Sequence, residues 1–195
     1  MLKVKLCSID QKLVELWEKE FTGYSGIEII QGDIFQQKAD TITSPGNSFG
    51  LMDAGLDKLM CDYLGDSLEQ RLQQKIKKDY YGELPVGMAI ILETNNERFP
   101  YFISSPTMRV SMRLENSANV YLATRAVFIS INEFNNMNHL INSVIIPGMG
   151  IDRGKVPYEI AAKQMKVAYD AIILNKTIFP KDWKIAKEAH DRLIK

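Results

Sequence analysis

Between Gln31 and Asp57 the chain twice runs an apolar, strand-like segment straight into a small turn-forming cluster. Gly32-Asp33-Ile34 closes the first and Ser44-Pro45-Gly46-Asn47-Ser48 the second. The second leads through a glycine-bearing loop, Gly50-Leu51-Met52-Asp53-Ala54-Gly55-Leu56-Asp57, into a helical pattern. Strand, loop and helix in this order build an open α/β sheet. Ligands of such sheets bind beyond the carboxyl ends of the strands, where free amides at helix starts attract phosphate. A carboxylate, an amide side chain and a glycine loop at such ends read as a nucleotide pocket.

The rest of the chain repeats the alternation. Lys3 to Ile9 has the period of a strand, with Val4, Leu6 and Ser8 on one side and Lys3, Lys5 and Cys7 on the other. Asp10 is suited to cap a helix carrying Leu13, Leu16, Trp17 and Phe21. Short strands are expected at Glu28 to Ile34, Thr41 to Ser44, Met88 to Leu92, Tyr101 to Ile103 and Ser143 to Ile146. Helical patterns fill the spaces between them. One runs from Leu56 to about Tyr80 with a break at Gly65, and another has Ala118, Leu122, Ala126 and Ile129 in register. A third begins near Pro157 with Ala161, Met165, Ala168 and Ile172 as its stripe. Asn132 to Asn142 reads as a turn. After Pro180 comes a short amphipathic tail with Trp183, Ile185, Ala186 and Leu193, expected to pack on the domain's own sheet. No repeat or linker divides the chain, so residues 1–195 are expected to form one α/β domain, a three-layer α/β/α sandwich around a mixed sheet.

Composition removes several alternatives. Twenty-four Lys and Arg balance twenty-four Asp and Glu, so no global field recruits nucleic acid or an anionic membrane. Two cysteines, Cys7 and Cys61, cannot build a disulfide framework and suit an intracellular, reduced core. No apolar run reaches transmembrane length, and a soluble, cytoplasmic protein is expected. His139 and His190 stand apart from any cysteine or acidic pair at ligand spacing, so no metal is expected. Neither a G-x-x-x-x-G-K-[ST] loop nor a G-x-S-x-G elbow occurs. Lys75-Ile76-Lys77-Lys78 reads as a solvated helix face, and no aromatic-basic interleaving marks an RNA-stacking sheet.

Three loops carry chemistry, each beside a plainer structural reading. The Asp33 carboxylate could accept from an exocyclic amino group while the Ile34 amide meets a ring nitrogen; equally, Gly-Asp is a common turn. Asn47 can both donate to and accept from sugar hydroxyls, or serve only its turn. In Pro147-Gly148-Met149-Gly150 two glycines let backbone amides approach a diphosphate, with a helix start behind them.

Taken in order, these loops resemble the macro domain, the ADP-ribose-binding module. Gly32-Asp33-Ile34 is similar to the family's G-D-I, and Ala39 to Ser48 to its A-D-A-I-V-N-A-A-N-S. Gly55-Leu56-Asp57 resembles the end of its G-G-V-D loop, and Leu84 to Ala89 with Thr94 its L-x-x-G-x-A strand. Ile146 to Gly150 takes the place of its second phosphate loop; the likeness spans roughly Glu28 to Tyr169. It implies that Asp33 and the Ile34 amide bind adenine and that Asn47 binds the distal ribose. Asp53, Ala54, Gly55 and Leu56 would wrap one side of the diphosphate, and Gly148, Met149, Gly150 and Ile151 the other.

In the hydrolytic branch of the family an acidic residue follows the ribose-binding asparagine by ten positions; here that residue is Asp57. The resemblance therefore implies cleavage of an ADP-ribosyl bond, with Asp57 orienting a water against a distal ribose fixed by Asn47. Alternatively, Asp57 is a first-turn carboxylate complementing the helix dipole. The implied partner is ADP-ribose or an ADP-ribosylated macromolecule, with no cofactor. Departures are concentrated in the loops. Met52-Asp53-Ala54 replaces glycines, and Ile151-Asp152-Arg153-Gly154 replaces small residues. Ser104-Ser105-Pro106 stands where many members carry a histidine. Arg153 is expected to compensate by pairing with phosphate or with Asp53. A non-catalytic binding module, or a degenerate scaffold, is the alternative that these changes keep open.

Overall fold

A computed structural model describes residues 2–137, 140–177 and 179–195. Among these residues six strands form one sheet: β1 Lys3–Ser8, β2 Ile27–Gln31, β3 Thr41–Ser44, β4 Ile90–Glu93, β5 Tyr101–Ser104 and β6 Ser143–Ile146. Their spatial order is β2-β1-β6-β3-β5-β4. All neighbours are parallel except β4, which runs antiparallel to β5 at the edge. Among the described residues six helices accompany the sheet: α1 Gln11–Glu20, α2 Gly55–Leu64, α3 Ser67–Asp79, α4 Asn119–Asn136, α5 Tyr158–Ile172 and α6 Trp183–Ile194.

Strand alternation divides the core into two layers, as the three-layer expectation requires. Val4 and Leu6 of β1, Ile103 of β5, and Val144 and Ile146 of β6 pack with α1, α4 and α5. Their sequence neighbours Cys7, Phe102 and Ile145 point the other way, onto α2 and α3. In α3 the stripe Leu68, Leu72 and Ile76 is fully buried. Each such side chain contributes about 1.5–3 kcal/mol. The exposed Lys75–Asp79 pair on the same helix, at 2.8 Å, is screened by solvent and adds little. Packing, not ion pairing, therefore fixes this helix.

The punctuation follows local chemistry. Asp10 caps α1, its Oδ1 accepting from the amides of Lys12 at 2.9 Å and Leu13 at 3.3 Å. Gly65, at φ +111°, separates α2 from α3, a backbone state that glycine adopts without strain.

Four expectations need correction. The buried stripe of α4 is Val120, Ala123, Thr124, Val127 and Ile131 with Ala126 and Phe128; Leu122 is exposed and Ile129 only half-buried. Asn132 to Asn136 continue that helix rather than forming a turn, because packing in its earlier turns overrides the weak helix propensity of asparagine. His139 lies outside the described residues. β2 ends at Gln31, and Ile34 opens a short 3-10 turn, Ile34–Gln36. Finally, α6 packs on α5 and buries no residue, leaving Trp183 81% exposed instead of covering the sheet. No helix of the described residues is long and apolar enough to cross a membrane.

Candidate functional site

Chain direction decides where the site forms. The five parallel strands all end on one side of the sheet. From β1 the chain steps outward to β2, then crosses to β3 on the far side of β6, making a switch point at which the loops diverge. A cleft of about 940 Å³ opens there. Asp33, Ile34, Asn47, Ala54, Gly55, Leu56, Asp57, Gly148, Gly150, Ile151 and Arg153, all singled out from the sequence, line it. Met149 does not. It alternates inward and is fully buried among α1, α4 and α5, so only its backbone belongs to the loop.

Asp33 sits where β2 passes into the 3-10 turn. Its Oδ1 accepts from the Phe35 amide at 2.9 Å, capping the turn. Beneath it lies Cys7, whose Sγ donates to the Gly32 carbonyl at 3.4 Å. Burial, reinforced by the Asp33 charge, pushes the Cys7 thiol up to about 11, so it is protonated and unreactive at neutral pH.

Asn47 is committed to its own loop. Oδ1 accepts from the amides of Phe49 at 3.1 Å and Leu51 at 3.2 Å, and Nδ2 donates to the Leu51 carbonyl at 2.8 Å. The turn reading of Asn47 is therefore real, and one Nδ2 hydrogen remains for a ligand. Further along, Glu69 of α3 accepts from the Met52 amide at 3.1 Å and from Gln73 at 3.0 Å. The loop is thus pinned up to the buried Met52, while Asp53, Ala54 and Gly55 stand exposed. Ala54 supplies no side-chain cap to α2, leaving the first amides of that helix open toward the cleft.

Asp57 lies on the first turn of α2. Ser44 Oγ donates to its Oδ1, and a methyl group on Gly46 would come within 3.2 Å of its Oδ2. Burial pushes this carboxyl up to about 6; the Ser44 hydrogen bond works against the rise and the Asp53 charge adds to it. A first-turn carboxylate and a cleft-lining carboxylate are here the same residue.

The opposite wall, residues 147–154, is held by contact. A methyl on Gly148 would lie 2.5 Å from Ile151 Cδ1, and one on Gly154 would lie 2.4 Å from the Gly150 carbonyl oxygen. Gly150 itself has φ +68°. Arg153 is exposed and makes no ion pair with Asp53 or any other described residue, so the expected compensation between those two does not form. Among the described residues no group of three or more His, Cys, Asp or Glu could hold a metal ion.

Sequence reasoning missed the third wall. Thr107, Met108 and Ser111 come to the cleft from the segment after β5, and Ser8, Ile9, Phe35 and Leu59 complete its rim. Thr107 Oγ1 donates to the Pro45 carbonyl at 3.0 Å, and the Ser48 amide donates to the Met108 carbonyl at 3.2 Å. These contacts bridge some sixty positions. Ser44, the partner of Asp57, was also missed; its one signal is a polar residue closing an otherwise buried strand.

Known proteins carry the same fold. A family model described as "Macro-like domain" matches residues 28–187. An uncharacterized protein of Aquifex aeolicus (strain VF5) is 31% identical over 139 residues, 71% of this chain and 78% of that one. Among solved structures, the Oceanobacillus iheyensis macrodomain with ADP superposes at TM-score 0.63 with 18% identity, covering 84% of this chain and 88% of its own. The macrodomain of Mycobacterium tuberculosis DarG gives 0.60 with 18% identity over 71% and 86%. Thermosipho africanus DarTG in complex with ADP-ribose gives 0.58 with 16% identity over 89% of this chain and 51% of that one. The chain belongs to the macro-like domain family.

Proposed function

We propose that the cleft binds ADP-ribose, free or attached to a macromolecule, and hydrolyses the ADP-ribosyl linkage with Asp57 directing the water. The observation that carries this reading is the arrangement along the cleft. An exposed carboxylate, Asp33, follows β2 at the edge of the sheet, and an enclosed carboxylate, Asp57, lies against the end of β3 three strands away, with two amide-bearing loops lining the same cleft. Relatives of this fold are solved with ADP and with ADP-ribose, which supports a ligand of that class. In this reading Asp33 accepts from the adenine amino group. The diphosphate lies between the open amides at the start of α2 and the loop at Gly148 to Ile151, with Arg153 free to pair with it. The distal ribose meets Asn47 and Asp57.

Cleavage develops positive charge at the anomeric carbon, which a nearby carboxylate stabilises, and it needs a water held on line. A carboxyl raised to about 6 remains mostly ionised at neutral pH and is a better base than an ordinary aspartate. Asp57→Ala should abolish turnover of an ADP-ribosylated substrate while ADP-ribose still binds. Full turnover in that variant would remove Asp57 from the chemistry.

A second reading, a binding module without turnover, has its own support. Ser44 occupies Asp57 Oδ1, Asn47 is largely spent on its loop, and Asp53 adds negative charge beside the diphosphate path. Binding without turnover in the parent protein would favour it.

A further inference from the structure

We infer that Ser44 is the positioning residue of the site: it fixes which oxygen of Asp57 faces the cleft and holds that carboxylate in its ionised form. The catalytic part of this inference rests on the proposed role of Asp57; the coupling between the two residues does not.

Ser44 ends β3 and is 2% exposed. Its backbone is locked by register with Ser104 and by the Ser105 amide, which donates to the Ser44 carbonyl at 3.0 Å. Strand alternation gives it the face of Ile42, the face covered by α2 and α3. The hydroxyl has a single proton, and it is donated to Asp57 Oδ1. No other side chain or amide among the described residues donates to Asp57. Gly46 keeps the slot open, because any side chain there would come within 3.2 Å of Asp57 Oδ2 and 3.4 Å of Ser44 Oγ. Oδ1 is turned to Ser44, and Oδ2, with no donor among the described residues, is the freer oxygen to address a water.

The charged surroundings make this one donor decisive. From its own loop, Asp53 opposes ionisation of Asp57. On its own helix, Lys58 is turned to Asp62 at 2.9 Å. From the facing loop, Asp152 and Arg153 line the same cleft without an ion pair to Asp57. A half-buried anion without a cation depends on its hydrogen-bond donor, and in this chain that donor is a serine where the family pattern carries asparagine.

The test is a carbon-detected NMR titration of the Asp57 carboxyl in the parent protein, Ser44→Ala and Ser44→Thr, with hydrolysis of an ADP-ribosylated peptide followed in parallel against pH. Ser44→Ala should move the Asp57 midpoint upward by about one pH unit. The rising limb of the rate profile should shift with it, lowering kcat about twofold at pH 7 and nearly tenfold near pH 5 while KM stays unchanged. Ser44→Thr, which keeps the hydroxyl, should restore both. An unmoved midpoint in a folded Ser44→Ala variant would overturn the inference. A shifted midpoint without hydrolysis in any variant, the parent included, would establish the coupling and overturn the catalytic reading of Asp57.

Discussion

The two loops that wall the cleft are built on opposite principles. Residues 47–57 are held by polar side chains: Asn47 staples 49 to 51 and Glu69 captures the Met52 amide, after which the side chains at 53–54 stand exposed. Residues 147–156 are held by close packing, with Gly148 against Leu13 and Ile151 and Gly154 against the backbone of Gly150. Two backbone bonds close this second loop, Val156 to the Gly150 carbonyl at 3.1 Å and Leu114 to the Gly154 carbonyl at 2.7 Å. The first loop thus tolerates changes of volume and is vulnerable to loss of hydrogen bonds; the second is the reverse. This also explains how the first can lose glycines to Met52, Asp53 and Ala54 and keep its course: Met52 turns into the core while Asp53 and Ala54 face solvent.

The comparison breaks most visibly at Gly154. Gly154→Ala drives a methyl into a carbonyl oxygen and should destabilise the protein by about 2–3 kcal/mol, measured by urea unfolding; a loss below about 0.5 kcal/mol would mean that the second loop is not close-packed. Next come the polar anchors of the ligand reading. Asn47→Ala and Asp33→Ala should each weaken ADP-ribose binding by about 1–3 kcal/mol, read by calorimetry. Only Asn47→Ala should also loosen amide exchange protection at Phe49 and Leu51. Equal loosening in both variants would dissolve the distinction between a ligand contact and a loop staple.

A comparable effect concerns pH. Asp57 has its native carboxyl raised from 3.8 to about 6. Between those values the native state binds more protons than the unfolded chain, so the contribution of Asp57 to stability is fully present at low pH. It is lost as pH rises through about 6. Asp57→Asn should therefore remove a decline on the order of 3 kcal/mol across that window, seen as the difference between the two proteins' unfolding free energies. A decline as pH falls would have the wrong sign for a carboxyl raised by burial. Smallest is Glu69→Ala, which leaves the Met52 amide without its partner and should lower stability by about 1 kcal/mol or less; no change at all would argue that the first loop is held by packing after all.

Much of this was legible locally. The strands at Thr41–Ser44 and Ser143–Ile146 have the bounds expected of them, because short buried strands closed by Pro-Gly clusters leave little freedom. Asp10 capped the helix it preceded, and Gly65 broke the one it interrupted. Other features were invisible because they depend on partners distant in sequence. The stripe of α4 rotated away from Leu122 because α5 and the sheet, not the helix itself, choose its buried face. Thr107 and Ser111 reach the cleft only because β5 lies beside β3. Asn47 was read for its chemistry, yet only the folded loop reveals how much of that chemistry is already used. Ser44 shows the converse, a plain strand residue made important by a helix residue thirteen positions on.

The measurement that bears most directly on the account is a calorimetric titration of the purified protein with ADP-ribose, with AMP and ribose 5-phosphate as controls. Both carboxylates, both loops and the open amides of α2 are assigned to one extended ligand. The account predicts micromolar binding of ADP-ribose and at least tenfold weaker binding of either fragment. No heat and no competition from ADP-ribose at millimolar concentration would contradict it.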